Sequence, residues 1–144
     1  MAKGRFLVLL ICLYLVGCQE PKTLHVYQRD IDTAYLQLLH NRERAQRNMP
    51  QLQYDDALEK YAQQHAKYMA SRRRLKHSSL DYDYRMRGEN IAMGQRTEEE
   101  VLNSWMRSRG HRANILNGRF THAGFGCAQV EGGDLYWCAC FGGN

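Results

Sequence analysis

The chain has 144 residues and a formal charge of +5, with 44% apolar residues, 24% charged residues and two prolines. That length suits one domain with a single buried core, and the composition excludes disordered and collagen-like chains. The basic residues are dispersed, with Arg72-Arg73-Arg74 and Lys76 the densest run, so nucleic acid is excluded as a partner and the charge serves solubility or weak attraction to anionic polymers.

In chain order, Met1 to Arg5 is short and basic, Phe6 to Val16 is apolar, and Leu15-Val16-Gly17-Cys18 places a small residue before a cysteine. The apolar run is far short of the roughly 20 residues a spanning helix needs, so residues 1–17 read as a signal peptide. Leu-Val-Gly-Cys resembles the bacterial lipobox. The resemblance implies cleavage before Cys18, acylation of its thiol, and a stable membrane anchor once two or three acyl chains are attached. With Gln19 rather than aspartate next in line, it favours a lipid-anchored place in the bacterial cell envelope, at the outer membrane or cell surface. Residues 18–28, polar with one proline, read as the lipidated N-terminus and a tether, and residues 29–144 as the domain.

Ile31, Tyr35, Leu38, Leu39 and Ala45 recur at helical spacing with Arg42, Glu43 and Arg44 opposite them, which predicts a first helix over 30–47, stopped by Met49-Pro50. Asp56 followed by Glu59 resembles a capping box. Leu58, Ala62, His65, Ala66 and Met69 carry the second helix to about residue 73, with His65 a hydrogen-bonded core histidine. Thr97 with Glu100 repeats the capping signal for a third helix whose apolar face is Val101, Leu102, Trp105 and Met106, with Trp105 in the core. His111 to Leu116 allows a fourth, short helix.

From Gly124 onward the pattern changes to two β-rich runs flanking Gly132-Gly133, a predicted hairpin. A two-residue turn at the glycines sets Cys127 opposite Cys138, at disulfide spacing, with Cys140 as the rival partner. A zinc site built from the three thiols is disfavoured, because they lack the Cys-x-x-Cys spacing. Helices followed by an antiparallel hairpin predict an α+β domain.

Four polar clusters stand out: His40-Asn41-Arg42-Glu43-Arg44, Lys76-His77-Ser78, Gly88-Glu89-Asn90-Ile91-Ala92, and Ser104-Trp105 through Gly110-His111-Arg112-Ala113-Asn114-Ile115-Leu116. In this order they resemble the CAP superfamily of cysteine-rich secretory proteins, venom antigens and plant pathogenesis-related proteins, and above all its short bacterial members, over about residues 30–142. The resemblance implies an α-β-α sandwich of the CAP/SCP type, with a small antiparallel sheet between helical layers and a cleft holding two histidines and acidic residues. Position by position, His77 and His111 match the cleft histidines and Glu89 the first glutamate. Ser108 stands where many eukaryotic members carry a second glutamate.

Two imidazoles and a carboxylate suit Zn²⁺ or another divalent cation, with His77 and His111 as ligands and Glu89 as ligand or base. Ser108 makes the site less anionic and less retentive for hard cations. Ser108 and Asn114 are candidate cleft-lining residues, and Asn41 and Arg42 are expected to bond loop backbone or a carboxylate. No serine or cysteine sits in a nucleophile motif. Two functions follow from the resemblance. One is a binding module for a lipid, an envelope polymer such as peptidoglycan, or a host molecule. The other is a metal-dependent hydrolase of peptide or peptidoglycan bonds in which His77, Glu89 and His111 are catalytic.

Overall fold

The structure, a computed structural model, describes residues 25–144. The expected signal peptide, with Cys12, and the expected lipidation site at Cys18 lie outside the described residues. The elements run β1 (Val26–Gln28), α1 (Thr33–Ala45), β2 (Gln53–Tyr54), α2 (Asp56–Arg72), β3 (Met86–Met93), α3 (Glu98–Arg107), α4 (Arg109–Ile115), β4 (His122–Val130) and β5 (Leu135–Gly143). The strands form one sheet in the order β1-β4-β5-β3, antiparallel throughout, with the two-residue β2 paired parallel to β4. Val26–Gln28 pair with Ala128–Val130, so the expected tether gives way to sheet three residues before Arg29.

Helix starts follow local chemistry. Asp32 accepts the Tyr35 N–H at 2.8 Å and Thr97 the Glu100 N–H at 3.2 Å, each satisfying an amide the helix leaves open. At α2 the cap is Asp55 rather than Asp56: its carboxylate accepts the Leu58 N–H at 2.7 Å, and Asp56 is the first helical residue. Glu98, Glu99 and Glu100 fill the first turn of α3, where the helix dipole favours negative charge.

The sheet is covered on both faces, and alternation along β5 sorts its side chains between them. Leu135, Trp137, Ala139 and Phe141 join Leu36, Val101, Trp105, Ile115 and Phe125 beneath α1, α3 and α4. Tyr136, Cys138 and Cys140 face α2 with Leu58, Ala62, Ala66 and Met69. Every residue of β5 is buried, as a strand between two helical layers must be. Each fully buried large side chain contributes about 1.5–3 kcal/mol by leaving water. The seam between α2 and β4 is so close that a Cβ on Gly126 would lie 2.4 Å from the Gln63 nitrogen. These two positions have to be glycine because the α2 backbone occupies the space: at Gly124 a Cβ would lie 2.1 Å from the Glu59 nitrogen.

Two expectations fail in the packing. The β4–β5 register, with Gln129 opposite Leu135 and hence Val130 opposite Asp134, leaves three residues, Glu131 to Gly133, at the turn, closed by the Gly133 N–H on the Val130 carbonyl at 2.8 Å with Gly132 at φ +65°. The extra residue slips the register by one, so Cys127 pairs with Trp137 and Cys138 with Gly126. A one-residue slip turns a side chain to the other face: Cys127 lies in the α1/α3/α4 layer and Cys138 in the α2 layer. The expected Cys127–Cys138 disulfide is therefore absent, and Cys127, Cys138 and Cys140 are all free and buried.

Arg44 is the second failure. Its place opposite the apolar stripe predicts exposure, yet it is fully buried. Its guanidinium donates to four backbone carbonyls, those of Pro50 at 2.7 Å and of Ile115, Asn117 and Phe120 at 3.0 Å each. The chain leaving α4 thus closes onto α1 around a cation, with Asn41 beside it exchanging two hydrogen bonds with the Leu52 backbone. Burial pushes the Arg44 pKa down.

Candidate functional site

Strand β3 is the scaffold of the site, and its alternation sends neighbouring residues to opposite sides. Glu89 points into the α2 layer with a side chain 1% exposed. Asn90, fully buried, serves the α3/α4 side.

Glu89 Oε1 accepts from Nδ1 of His77 at 2.7 Å and from the Ser78 N–H at 3.0 Å. The segment carrying His77 has no regular structure, so this carboxylate is what fixes the ring, a charge-assisted contact of the strong class. Nδ1 is thereby committed, and the opposite edge of His77, whose side chain is 62% exposed, faces solvent. Glu89 Oε2 has the Cys138 thiol at 3.7 Å and His65 Nε2 at 3.8 Å. The His65 nitrogen lies 2.6 Å from the Lys76 carbonyl. A carbonyl only accepts, so Nε2 carries the proton and His65 ties α2 to the residue before His77, as a hydrogen-bonded core histidine.

His111 is placed from the other side of the strand. Asn90 Nδ2 donates to the His111 carbonyl at 3.0 Å, and Asn114 Nδ2 donates to the Glu89 carbonyl at 3.0 Å and to Asn90 Oδ1 at 2.9 Å. Both amide hydrogens of Asn114 are thus spent on clamping α4 to β3. Gly88 makes room for this: a Cβ there would lie 2.6 Å from the Phe120 ring. His111 is partly buried, and its pKa is lowered, first by burial and then by the charge of His77, which sets the two imidazoles in one electrostatic field. Trp105, fully buried, donates its indole N–H to the Ile91 carbonyl at 3.2 Å and anchors α3 to the same strand. Ser108 sits at the α3–α4 junction, three residues ahead of His111, and makes no side-chain cap hydrogen bond.

The structure therefore joins His77 to Glu89 and brings His111 into the field of His77, but His77, Glu89 and His111 do not form a tight ligand triad. Among the described residues the set of three metal-ligating side chains whose ligand atoms all lie within 4.8 Å of one another is Glu89, Cys138 and Cys140. The sequence alone disfavours a metal site on the thiols, for want of Cys-x-x-Cys spacing. Their common strand face was legible from their spacing of two; their neighbour Glu89, opposite Cys140 in the β3–β5 register, was not, because that pairing joins positions about fifty residues apart.

Comparison with known proteins agrees with this architecture. The profile of the cysteine-rich secretory protein family, CAP, matches residues 38–141. The Bacillus subtilis (strain 168) protein YkwD is 36% identical over 128 residues, covering 81% of this chain and 47% of YkwD. The chain spans about half the length of that relative, and 29% of the membrane protein YlbC of the same organism, to which it is 28% identical over 100 residues. An extracellular protein with an SCP domain from Bacillus anthracis superposes with a TM-score of 0.67 at 26% identity, over 78% of this chain and 40% of that one. An outer surface protein of Borrelia burgdorferi superposes with a TM-score of 0.72 at 21% identity, over 83% of this chain and 99% of its own length. With a family match across most of its length, a sheet held between two helical layers and a His77–Glu89 pair beside His111, the chain belongs to the CAP family of cysteine-rich secretory proteins.

Proposed function

We propose that the chain is an extracytoplasmic binding module, anchored through lipid on Cys18, which takes a polar polymer of the cell envelope at the exposed edges of His77 and His111. One observation carries this reading: the Glu89 carboxylate is buried away from solvent. Its Oε1 holds two donors and its Oε2 is buried beneath the strand, so it serves as the rigid seat of His77 and has no oxygen facing solvent to act as a general base. What remains at the surface is a pair of imidazole edges, each able to donate or accept a hydrogen bond to hydroxyl, amide or carboxylate groups. An extracytoplasmic site agrees with the apolar N-terminal run and with the extracellular and outer-surface relatives.

A divalent cation fits this cleft only in part. His77 Nε2 and His111 are free to ligate, and Glu89 stands behind His77 as the outer carboxylate that orients a metal-bound imidazole. Glu89 is not itself positioned as a third ligand with the two histidines. Such an ion would polarise a bound oxygen group of the polymer. Hydrolysis would ask Glu89 to leave its donors, and the geometry favours retention of ligand over turnover.

The test uses the full chain with Cys12→Ser and Cys18→Ser in mild detergent, mixed with peptidoglycan sacculi. Co-sedimentation is expected, with the His77→Ala, His111→Ala double variant, folded by circular dichroism, falling about tenfold in affinity for two lost hydrogen bonds. Equal retention of the double variant would overturn the cleft as the binding site. Histidine-dependent release of soluble fragments would replace binding with hydrolysis.

A further inference from the structure

Beneath the cleft, on the α2 face of the sheet, Cys138 and Cys140 project side by side from β5 with their sulfurs 3.8 Å apart. Glu89 stands on the neighbouring strand, opposite Cys140 in register, with Oε2 3.7 Å from the Cys138 sulfur. Two features set this cluster apart from ordinary packing.

The first is an unbalanced carboxylate. Glu89 Oε2 is buried, and among the described residues the one donor within hydrogen-bonding reach of it is a thiol, which is a weak one. His65 Nε2, 3.8 Å away, spends its N–H on a hydrogen bond to the Lys76 carbonyl. Buried charges are normally paired or bound to a cation; the partners of Glu89, His77 and the Ser78 N–H, both fall on Oε1, which leaves Oε2 for a cation.

The second is metric. A tetrahedral zinc ion with bonds of about 2.3 Å to sulfur and about 2.0–2.2 Å to a carboxylate oxygen has a sulfur–sulfur edge of about 3.8 Å and a sulfur–oxygen edge of about 3.5–3.7 Å. The observed edges of 3.8 and 3.7 Å match these. We propose that Cys138, Cys140 and Glu89 Oε2 form a buried binding site for a thiophilic divalent cation of the Zn²⁺ class, separate from the histidine cleft and sharing with it only the carboxylate of Glu89.

Binding breaks the two S–H bonds, forms two sulfur–metal bonds and releases two protons to solvent, with no change of oxidation state. The two thiolates and the carboxylate leave one net negative charge around a dication. Glu89 Oε1, held by His77 and the Ser78 N–H, supplies the outer contacts that orient the ligating carboxylate. Three protein ligands leave the fourth position for a water or a small anion. Soft sulfur donors favour zinc-class ions over Ca²⁺ or Mg²⁺. Tyr82 and Tyr84 of the irregular segment 74–85 pack against the cluster that holds both thiols, the Tyr82 hydroxyl sharing its one hydrogen between the carbonyls of Gly88 and Phe141; with both thiols buried, the ion is loaded as the chain folds.

The test adds Co²⁺ to the reduced, unfolded full chain carrying Cys12→Ser and Cys18→Ser, before refolding in detergent without oxygen. The expected result is one Co²⁺ per chain, with tetrahedral visible bands and an ultraviolet thiolate-to-cobalt charge-transfer band, both displaced by Zn²⁺. Cys138→Ser and Cys140→Ser should each abolish the charge-transfer band and weaken binding at least tenfold, whereas Cys127→Ser, on the opposite face of the sheet, should retain it. X-ray absorption on the zinc-loaded protein with all three domain cysteines intact needs no further variant to fold, and should show two sulfurs at about 2.3 Å. A metal shell of nitrogen and oxygen alone, or a charge-transfer band that survives loss of either Cys138 or Cys140, would overturn the proposal. Because histidine ligation produces no sulfur band, the result stands or falls independently of the cleft.

Discussion

Replacing Arg44 by methionine, which keeps an unbranched stem and removes every donor, tests the reading that a lone buried cation fastens α4 to α1. The guanidinium holds four backbone carbonyls, at 2.7 Å for Pro50 and 3.0 Å for Ile115, Asn117 and Phe120. An interior carbonyl stripped of its donor costs about 1–3 kcal/mol, so four of them cost about 8 kcal/mol at the middle of that range. Relief of the guanidinium's own desolvation returns several kcal/mol. The net expectation is a loss of about 4 kcal/mol, a large share of the 5–15 kcal/mol typical of a domain. Urea unfolding followed by the fluorescence of Trp105 and Trp137, both buried, reads this as a fall in midpoint at constant slope. Arg44→Lys keeps the charge but not the planar fork, and should lose about half as much. A loss below about 1 kcal/mol for Arg44→Met would refute the idea that these hydrogen bonds hold the two helices together.

Further expectations concern other parts of the core. His40 is fully buried, its Nδ1 donating to the Leu36 carbonyl and its Nε2 without a partner, and burial pushes its pKa down to about 4 from the usual 6.5. The unfolded chain therefore binds the extra proton first: stability is complete above pH 6.5 and falls by about 3 kcal/mol as the pH drops towards 4. His40→Leu should flatten that acid limb in denaturant titrations, and an unchanged limb would assign it to other groups. Gly126→Ala should destabilise the protein by about 3 kcal/mol through collision with the α2 backbone, while Gly110→Ala, in α4 with nothing near its Cβ, should stabilise it by about 0.5–1 kcal/mol; thermal melts of the pair decide this. In the chain lacking Cys12 and Cys18, reductant should leave the melting temperature unchanged, and three thiols should react after denaturation. Two missing thiols would restore a disulfide.

The helices were legible because their signals are local: Thr97 caps α3 as its sequence predicts, and the apolar spacing of α2 is the face it buries. Arg44 misleads by the same logic, since a side chain opposite the main stripe reads as exposed unless the return of the chain at Ile115 to Phe120 is known. The hairpin was recognised but its register was not, because a loop of three residues rather than two depends on the backbone at Gly132 and Gly133. His77, Glu89 and His111 were found by resemblance. That Glu89 seats His77 while its other oxygen meets a dithiol follows from β3–β5 pairing, which no local pattern encodes. The strands β1 and β2 are too short to leave a periodicity.

Strand β3 also works as a ruler. His77 and His111 arrive from segments of different length and character, yet each is referred to one of two consecutive residues, Glu89 and Asn90, whose Cα atoms are a fixed step of about 3.8 Å apart. The ring of His77 and the backbone of His111 are therefore both referred to a single extended backbone and do not inherit the slack of the chain between them. Lengthening the connection after α2, or the one before α3, alters the path by which the imidazoles are delivered and leaves the gauge untouched. A domain built this way tolerates wide drift in its connecting segments while holding one distance constant.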